Sequence, residues 1–307
     1  GPLVYASDFK FDQTPVDGQV TDFNKLAQLG EEGVLALFSD STNVEREGVT
    51  MSERVVGESI EKAVSEADGR IIVATFASNI HRVQQVVDAA FKHNRKVAIT
   101  GRSMINYVNI ASDLGYLNIP DGMMIDLKDA KKYRDNRVCL LTTGSQGEPM
   151  AALTRMARGD HRQINIRKGD TVIVSASAIP GNEKLVAQVI NRLFKRGADV
   201  IYDAVSGVHV SGHASQDELK LMLNLVKPRF FIPVHGEYRH LHHHAKLAVE
   251  TGVPEENVFI AEVGSILQFT NDNSKVAGSV TAGPILVDGL GVGDVGNIVL
   301  RDRRLLS

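Results

Sequence analysis

Apolar runs alternate with amphipathic segments along most of the chain, and that rhythm predicts the architecture. The run LVYASD at 3–8 predicts a strand of buried type, and VLALFS at 34–39 predicts a second. Each delivers an aspartate at its tip, Asp8 and Asp40. From Thr50 onward the pattern becomes strand, polar loop, helix. Strands are expected at 70–76, 96–100, 138–142, 171–175 and 199–202, with helices at 51–66, 80–93, 150–158 and 183–196. Ser52 stands where an N-cap belongs, and Val83, Val86, Val87 and Ala90 recur at helical spacing. A helix at 216–225, a strand at 230–234 and a helix at 238–251 follow. Next come a hairpin made of 258–261 and 265–269, a polar turn at 271–275 and a strand at 283–287. Apolar strands alternating with helices imply a parallel sheet covered on both faces. The carboxyl edge of such a sheet is where sites are built.

Composition narrows the chemistry. The chain has 307 residues, enough for two domains or one large α/β domain. It has no eighteen-residue apolar run and no leader pattern, so a cytoplasmic protein without a membrane span is expected. Cys139 is the single cysteine, which excludes an internal disulfide and any zinc site built on CxxC pairs. A metal would therefore be held by histidines and carboxylates. The net charge of -3 argues against a histone-like nucleic-acid binder but leaves room for an enzyme with a local basic groove. Basic clusters stand at Lys131-Lys132-Tyr133-Arg134, 155–167 and 301–304; each reads equally as a solvated face.

Three turns rich in Gly, Ser, Thr or Asn precede helix starts, at Ala77-Ser78-Asn79, 143–148 and 176–182. Exposed backbone N–H groups at such turns suit phosphate, although the same residues also cap helices. Four residues stand out as a metal or acid/base constellation: Asp8, Asp40, His213 and His235. Each follows or interrupts an apolar run, where a polar side chain is costly unless partnered. The alternative is that they are hydrogen-bonded structural groups. His240 and His244 have a metal-compatible i, i+4 spacing, but they lack an HExxH pattern, so His240, His242, His243 and His244 are read as a solvated helix face. Ser175, Ser177 and Ser211 lie in no GxSxG elbow, which discounts a serine hydrolase.

The blocks YASDFKFD, SDSTN, ATFASNIHR, TTGSQGEPM, HVSGHAS, PVHGEYR and NIVLRDRR, in that order, resemble bacterial ribonuclease J, of the β-CASP branch of the metallo-β-lactamase superfamily. The resemblance covers essentially all of the chain after Gly1-Pro2, a pair read as the remnant of a tag-removing protease. It implies an α/β fold, a partial metallo-β-lactamase αββα sandwich with an inserted β-CASP domain whose parallel sheet is flanked by helices. The implied boundaries are 3–50 for the first metallo-β-lactamase part, 51–207 for the β-CASP domain, 208–295 for the second part and 296–307 for the start of a linker. By resemblance Asp8 is a bridging metal ligand, His235 a late metal ligand and Asp288 a structural cation position. His213 assists at the scissile phosphate, supported by Asp40. Ala77, Ser78 and Asn79, with His209, Val210, Ser211, Gly212 and His213, match substrate-contacting loops. The implied cofactors are two divalent ions, zinc foremost, with manganese or magnesium as the other candidates. The implied partners are single-stranded RNA and a second subunit in a homodimer or paralogue heterodimer, or in a tetramer.

The family's HxHxDH motif and a further histidine ligand belong before Asp8 and are not in this sequence. The expectation is therefore a piece of a longer chain: the core of a metal-dependent ribonuclease with 5'-to-3' exonuclease and endonuclease action, preferring a 5' monophosphate and inactive by itself. The competing reading is a non-catalytic subunit that binds RNA or a ribonuclease partner.

Overall fold

A computed structural model describes residues 1–202, 207–270 and 273–283, together with the backbone of 287–288 and 291–292. The strands are β1 (Leu3–Ala6), β2 (Ala36–Asp40), β3 (Ile71–Ala74), β4 (Lys96–Thr100), β5 (Val138–Thr142), β6 (Thr171–Val174), β7 (Asp199–Tyr202), β8 (Phe230–Val234), β9 (Ser265–Phe269), β10 (Ser274–Ser279), β11 (Val287–Asp288) and β12 (Gly291–Val292). The helices are α1 (Phe23–Glu32), α2 (Glu53–Glu66), α3 (Ile80–Lys92), α4 (Arg102–Asp113), α5 (Ala152–Arg158), α6 (Glu183–Lys195), α7 (Gln216–Val226) and α8 (Tyr238–Glu250). They fall into two compact units, one of Gly1–Phe9, Phe23–Gly48 and Ala214–Ser307, the other of Lys10–Asp22 and Val49–His213.

The second unit is a five-stranded parallel sheet in the order β4-β5-β3-β6-β7. Side chains alternate between its faces with the period of a strand. Ile71, Val73, Cys139, Leu141 and Ile173 join α2, α3 and α4 in one core, while Ile72, Ala74, Leu140, Val172 and Val174 join α5 and α6 in the other. Burial on both faces explains why these strands read as unbroken apolar runs. Cys139 lies at the centre, fully buried, and burial pushes its thiol up to about 12. Lys10–Asp22 belongs here because Asp12 serves the start of α2, accepting from Ser52 Oγ and Glu53 N, both at 3.0 Å. Burial alone would raise the Asp12 carboxyl; the N–H bonds of Glu53 and Thr14 outweigh it and hold it below its ordinary value.

The first unit holds a three-stranded parallel sheet, β1-β2-β8. Its apolar side gathers Ala36, Phe230 and Ile232 with Phe259, Leu267 and Phe269, the Phe230 and Phe269 rings stacked at 5.1 Å. Strand β1 departs from the buried type expected of it: it is an edge strand in this chain, with Leu3 62% and Tyr5 69% exposed. The carbonyl of Pro2 accepts from Leu35 N at 2.9 Å and extends the β1–β2 ladder by one bond. Helix α1 packs on α7 through Gly30, where a Cβ would lie 2.1 Å from the Leu225 carbonyl oxygen.

The expected hairpin of 258–261 with 265–269 is not formed. Phe231 and Val258 instead make an isolated parallel bridge, and β9 pairs antiparallel with β10. The 258–261 run follows the α8 crossover back to the sheet and so arrives parallel to β8, while Gly264, at φ +95°, turns the chain into β9. The strand expected at 283–287 lies mostly outside the described residues. Among the described residues no helix is long and apolar enough to cross a membrane.

Candidate functional site

In the first unit three parallel strands end at one edge, and their tips carry Asp8, Asp40 and His235. Asp40 closes β2 in register with Val234 of β8, so His235 emerges one step beyond it. His235 has φ +57°, a left-handed backbone that non-glycine residues adopt at a cost. The turn is held from both sides: Ser41 N donates to the His235 carbonyl at 3.2 Å, and Thr42 Oγ1 lies 2.7 Å from His235 Nδ1.

Thr42 fixes the imidazole tautomer. Its hydroxyl lies 2.7 Å from Asp40 Oδ1, and an ionised carboxylate can only accept, so the hydroxyl proton goes to Asp40. The same oxygen must then accept from His235 Nδ1–H, which leaves the lone pair on Nε2. That nitrogen faces Asp8 Oδ1 at 3.4 Å. With the ring neutral, two electron-rich atoms face each other there, an arrangement that a metal ion or a proton on Nε2 resolves. Ligand atoms about 2.0–2.1 Å from one tetrahedral zinc lie about 3.4 Å apart, so the pair fits two corners of such a shell. Asp40, 1% exposed, stands 3.4 Å from Nδ1 and also accepts from Thr42 N. Within this unit it therefore backs His235, as the carboxylate behind a metal-binding histidine does.

The four helix histidines are not one solvated face. His242 and His243 are exposed, and His240 completes the cap of α8 by accepting from Glu237 N at 3.0 Å. His244, however, is fully buried. It lies edge-on to Phe231, with Nδ1 2.9 Å from Ser41 Oγ. Burial drives its pKa down to about 3, with the Asp40 charge pulling weakly the other way. The physical reason is its place on α8, on the same stripe as buried Leu247 and Ala248.

In the second unit the polar loops follow the carboxyl ends of β3, β5 and β6, at one edge of the sheet. Asn79 caps α3 by accepting from Arg82 N at 3.1 Å. Gln146 ties two loops together, donating to Ser177 O and accepting from Ile179 N, both at 2.8 Å. In the segment at 208–213, Val208 and Val210 point into the core while His209 and Ser211 are half-exposed, so the Val210 side chain is turned inward. Gly212 is exposed. His213 is held by its main chain: its N–H donates to Ser211 Oγ at 3.1 Å and its carbonyl accepts from Thr50 Oγ1 at 2.8 Å.

A fully buried arginine, unmarked as a site residue by the sequence pattern, anchors this segment. Arg82 pairs with Glu53 and donates to Ser175 O at 2.9 Å, Ser175 Oγ at 2.7 Å and Val208 O at 3.3 Å, while Ser175 Oγ donates to Val208 O at 2.6 Å. Its position beside Val83, Val86 and Val87 on the buried face of α3 was the available signal.

A family profile described as "Ribonuclease J, beta-CASP domain" matches residues 68–193, and one described as "Zn-dependent metallo-hydrolase RNA specificity domain" matches 197–261. Over all 307 residues the chain is 50% identical to "Ribonuclease J2" of Bacillus subtilis, covering 55% of that protein. It is 51% identical to "Ribonuclease J 1" of Streptococcus pyogenes serotype M3, again covering 55%, and 48% identical to "Ribonuclease J" of Thermus thermophilus, covering 53%. The chain belongs to the ribonuclease J family. It spans about half the length of the curated relatives it matches. The ribonuclease J β-CASP match falls wholly within the second unit, and the parallel sheet flanked by helices is the fold the resemblance implied. Asp288 closes β11, and its side chain lies outside the described residues.

Proposed function

We propose that the chain is the core of a metal-dependent ribonuclease that works on single-stranded RNA in the cytoplasm, by 5'-to-3' exonuclease and endonuclease action. The observation that carries this reading is the Asp8–His235 pair, at 3.4 Å with the histidine's other nitrogen committed to Thr42. Asp8 and His235 would be ligands of a divalent centre of two ions, zinc first and manganese or magnesium next. Such ions supply an activated water and charge stabilisation at the scissile phosphate. The chain's own residues orient the parts. Asp40 and Thr42 hold the His235 ring with its lone pair outward, and Arg82 and Ser175 hold the segment leading to His209 and His213. His213 takes the role of hydrogen-bond or proton donor near the leaving oxygen, help worth about 10²- to 10⁴-fold. That role, and a role for Asp40 in supporting it, rest on the family resemblance. The loops at 77–79 and 209–212 are proposed to receive the RNA 5' end, a monophosphate in preference to the bulkier triphosphate. Asp288 is retained as a proposed cation position and a second subunit as a proposed partner.

The Asp8–His235 pair by itself supplies two ligand atoms, short of the three or four that hold zinc tightly, so residues 1–307 alone are proposed to be inactive. The test compares 5'-labelled single-stranded RNA cleavage by the full-length protein, its Asp8→Ala and His235→Ala variants, and the 307-residue chain. Metal-dependent cleavage by the full-length protein alone is expected. Chelator-sensitive cleavage by the 307-residue chain would overturn the inactivity, and wild-type rates in both variants would overturn the metal-ligand reading in favour of a non-catalytic, RNA-binding subunit.

A further inference from the structure

The second unit carries a cavity of about 580 Å³ lined by Phe91, Arg95, Lys96, Asp121, Tyr133 and Arg137. Lys96 opens β4 and Arg137 immediately precedes β5, so the cavity sits at the amino edge of the sheet. The loops at 77–79 and 143–148 leave the carboxyl edge, and a five-residue strand puts about 17 Å between the two. The cavity is thus separate from the proposed substrate loops of this unit.

Its lining has the two components of nucleotide recognition. Two aromatic rings face solvent, Phe91 60% and Tyr133 38% exposed, and an exposed ring is a surface on which a base stacks. Of the lining cations Lys92 is paired with Glu61, whereas Lys96 and Arg137 are held in place rather than neutralised. Lys96 Nζ donates to Gly122 O at 2.7 Å and Arg137 Nη1 to Asn94 O at 3.0 Å, and among the described residues neither has a carboxylate partner. Each keeps further N–H donors, already positioned by the backbone, so little side-chain entropy remains to be lost on meeting an anion. Arg95 lies beneath them, buried, with its guanidinium on the carbonyls of Gly69 and Ala67. Burial first, and repulsion from Arg137 among the charges, hold its pKa below the ordinary value; a bound anion relieves that repulsion. Asp121 is the one acid of the lining and suits an exocyclic amine or a ribose hydroxyl. The volume lies within the range of small-ligand sites, about 300–1,000 Å³. In a chain of net charge -3, cations gathered around two exposed rings mark a local site rather than an overall basic surface.

We infer that this cavity is a second nucleotide site, which takes a nucleoside phosphate, either free or as one unit of an RNA strand. The experiment is calorimetric titration of the full-length protein with adenosine 5'-monophosphate, adenosine, inorganic phosphate and a short oligoadenylate. The monophosphate should bind at least tenfold more tightly than adenosine or phosphate alone. Arg137→Glu and Lys96→Glu should each weaken it by tenfold or more, and Phe91→Ala by about fivefold or more, a stacking loss of 1 kcal/mol or greater. The exposed Tyr133→Ala is a second ring variant should Phe91→Ala disturb α3. Equal affinity for the monophosphate and the oligoadenylate assigns the site to free nucleotide; at least tenfold tighter oligoadenylate binding assigns it to RNA. A monophosphate can also enter the proposed substrate loops, so the Arg137→Glu and Lys96→Glu losses are measured again in a His209→Ala background, where they should persist; the outcome then does not depend on the reading of those loops. Absence of saturable binding, or binding that Arg137→Glu and Lys96→Glu leave within twofold, would overturn the inference and return the cavity to a solvated basic surface.

Discussion

Acidification should loosen the first unit through a single imidazole. His244 has no exposed surface, and burial brings its pKa to about 3, whereas in the unfolded chain it titrates near 6.5. Between those values the unfolded state holds a proton that the folded state refuses, so stability rises with pH. The contribution is present in full above 6.5 and is lost as pH falls from 6.5 towards 3. From pH 7 to pH 5 the loss is about 2 kcal/mol, and any folded value below about 4 gives the same figure in that window. The assay is amide hydrogen exchange of α8 in the full-length protein and in a His244→Gln variant, which keeps a polar partner for Ser41. The wild-type opening constant should rise about 25-fold between pH 7 and pH 5. The variant should lose that dependence, and exposed carboxylates common to both proteins cancel in the comparison. A wild-type profile flat over this interval, or an unchanged slope in His244→Gln, would refute the reasoning.

Two further predictions probe the supports described above. Thr42→Val removes the acceptor of His235 Nδ1–H and should weaken zinc binding about 10- to 100-fold, measured by chelator competition on the full-length protein; undiminished affinity would contradict the tautomer assignment. Arg82→Leu leaves the Glu53 carboxylate without its ion pair and takes away the guanidinium's bonds to Ser175 and Val208, although Val208 O keeps its bond from Ser175 Oγ, at a cost of roughly 3–5 kcal/mol, read from unfolding of the second unit. A loss under about 1 kcal/mol would show that the buried guanidinium carries little of that unit's stability.

Most of the second unit was legible because a sheet buried on both faces writes itself as apolar runs, and β4, β5 and β7 begin and end where the pattern put them. Helices α1 and α4 were not legible. Helix α1 buries no residue and carries Gly30 where another backbone presses on it, so its stripe is thin. In α4 the inward Met104, Val108 and Ala111 are interleaved with exposed Ile105, Tyr107 and Ile110, which blurs the helical period. At the site, the aspartates and His235 could be read because each ends an apolar strand. His244 was hidden by its neighbours: in the run His242-His243-His244 only the turn of the helix separates the buried ring from its two exposed companions. Thr42 and Arg82 act through hydrogen bonds to residues distant in sequence, which no local pattern records.

Cys139 has a practical consequence. It is the chain's single thiol, enclosed on β5 between β4 and β3, with its thiolate suppressed at neutral pH. An alkylating reagent should therefore react with it only when the second unit opens, so its labelling rate gives a clock for that opening that can be read without RNA, metal or nucleotide. Any cysteine placed on the surface would in turn be the sole fast-reacting position of this chain, ready to carry a dye or spin label without removing a native residue.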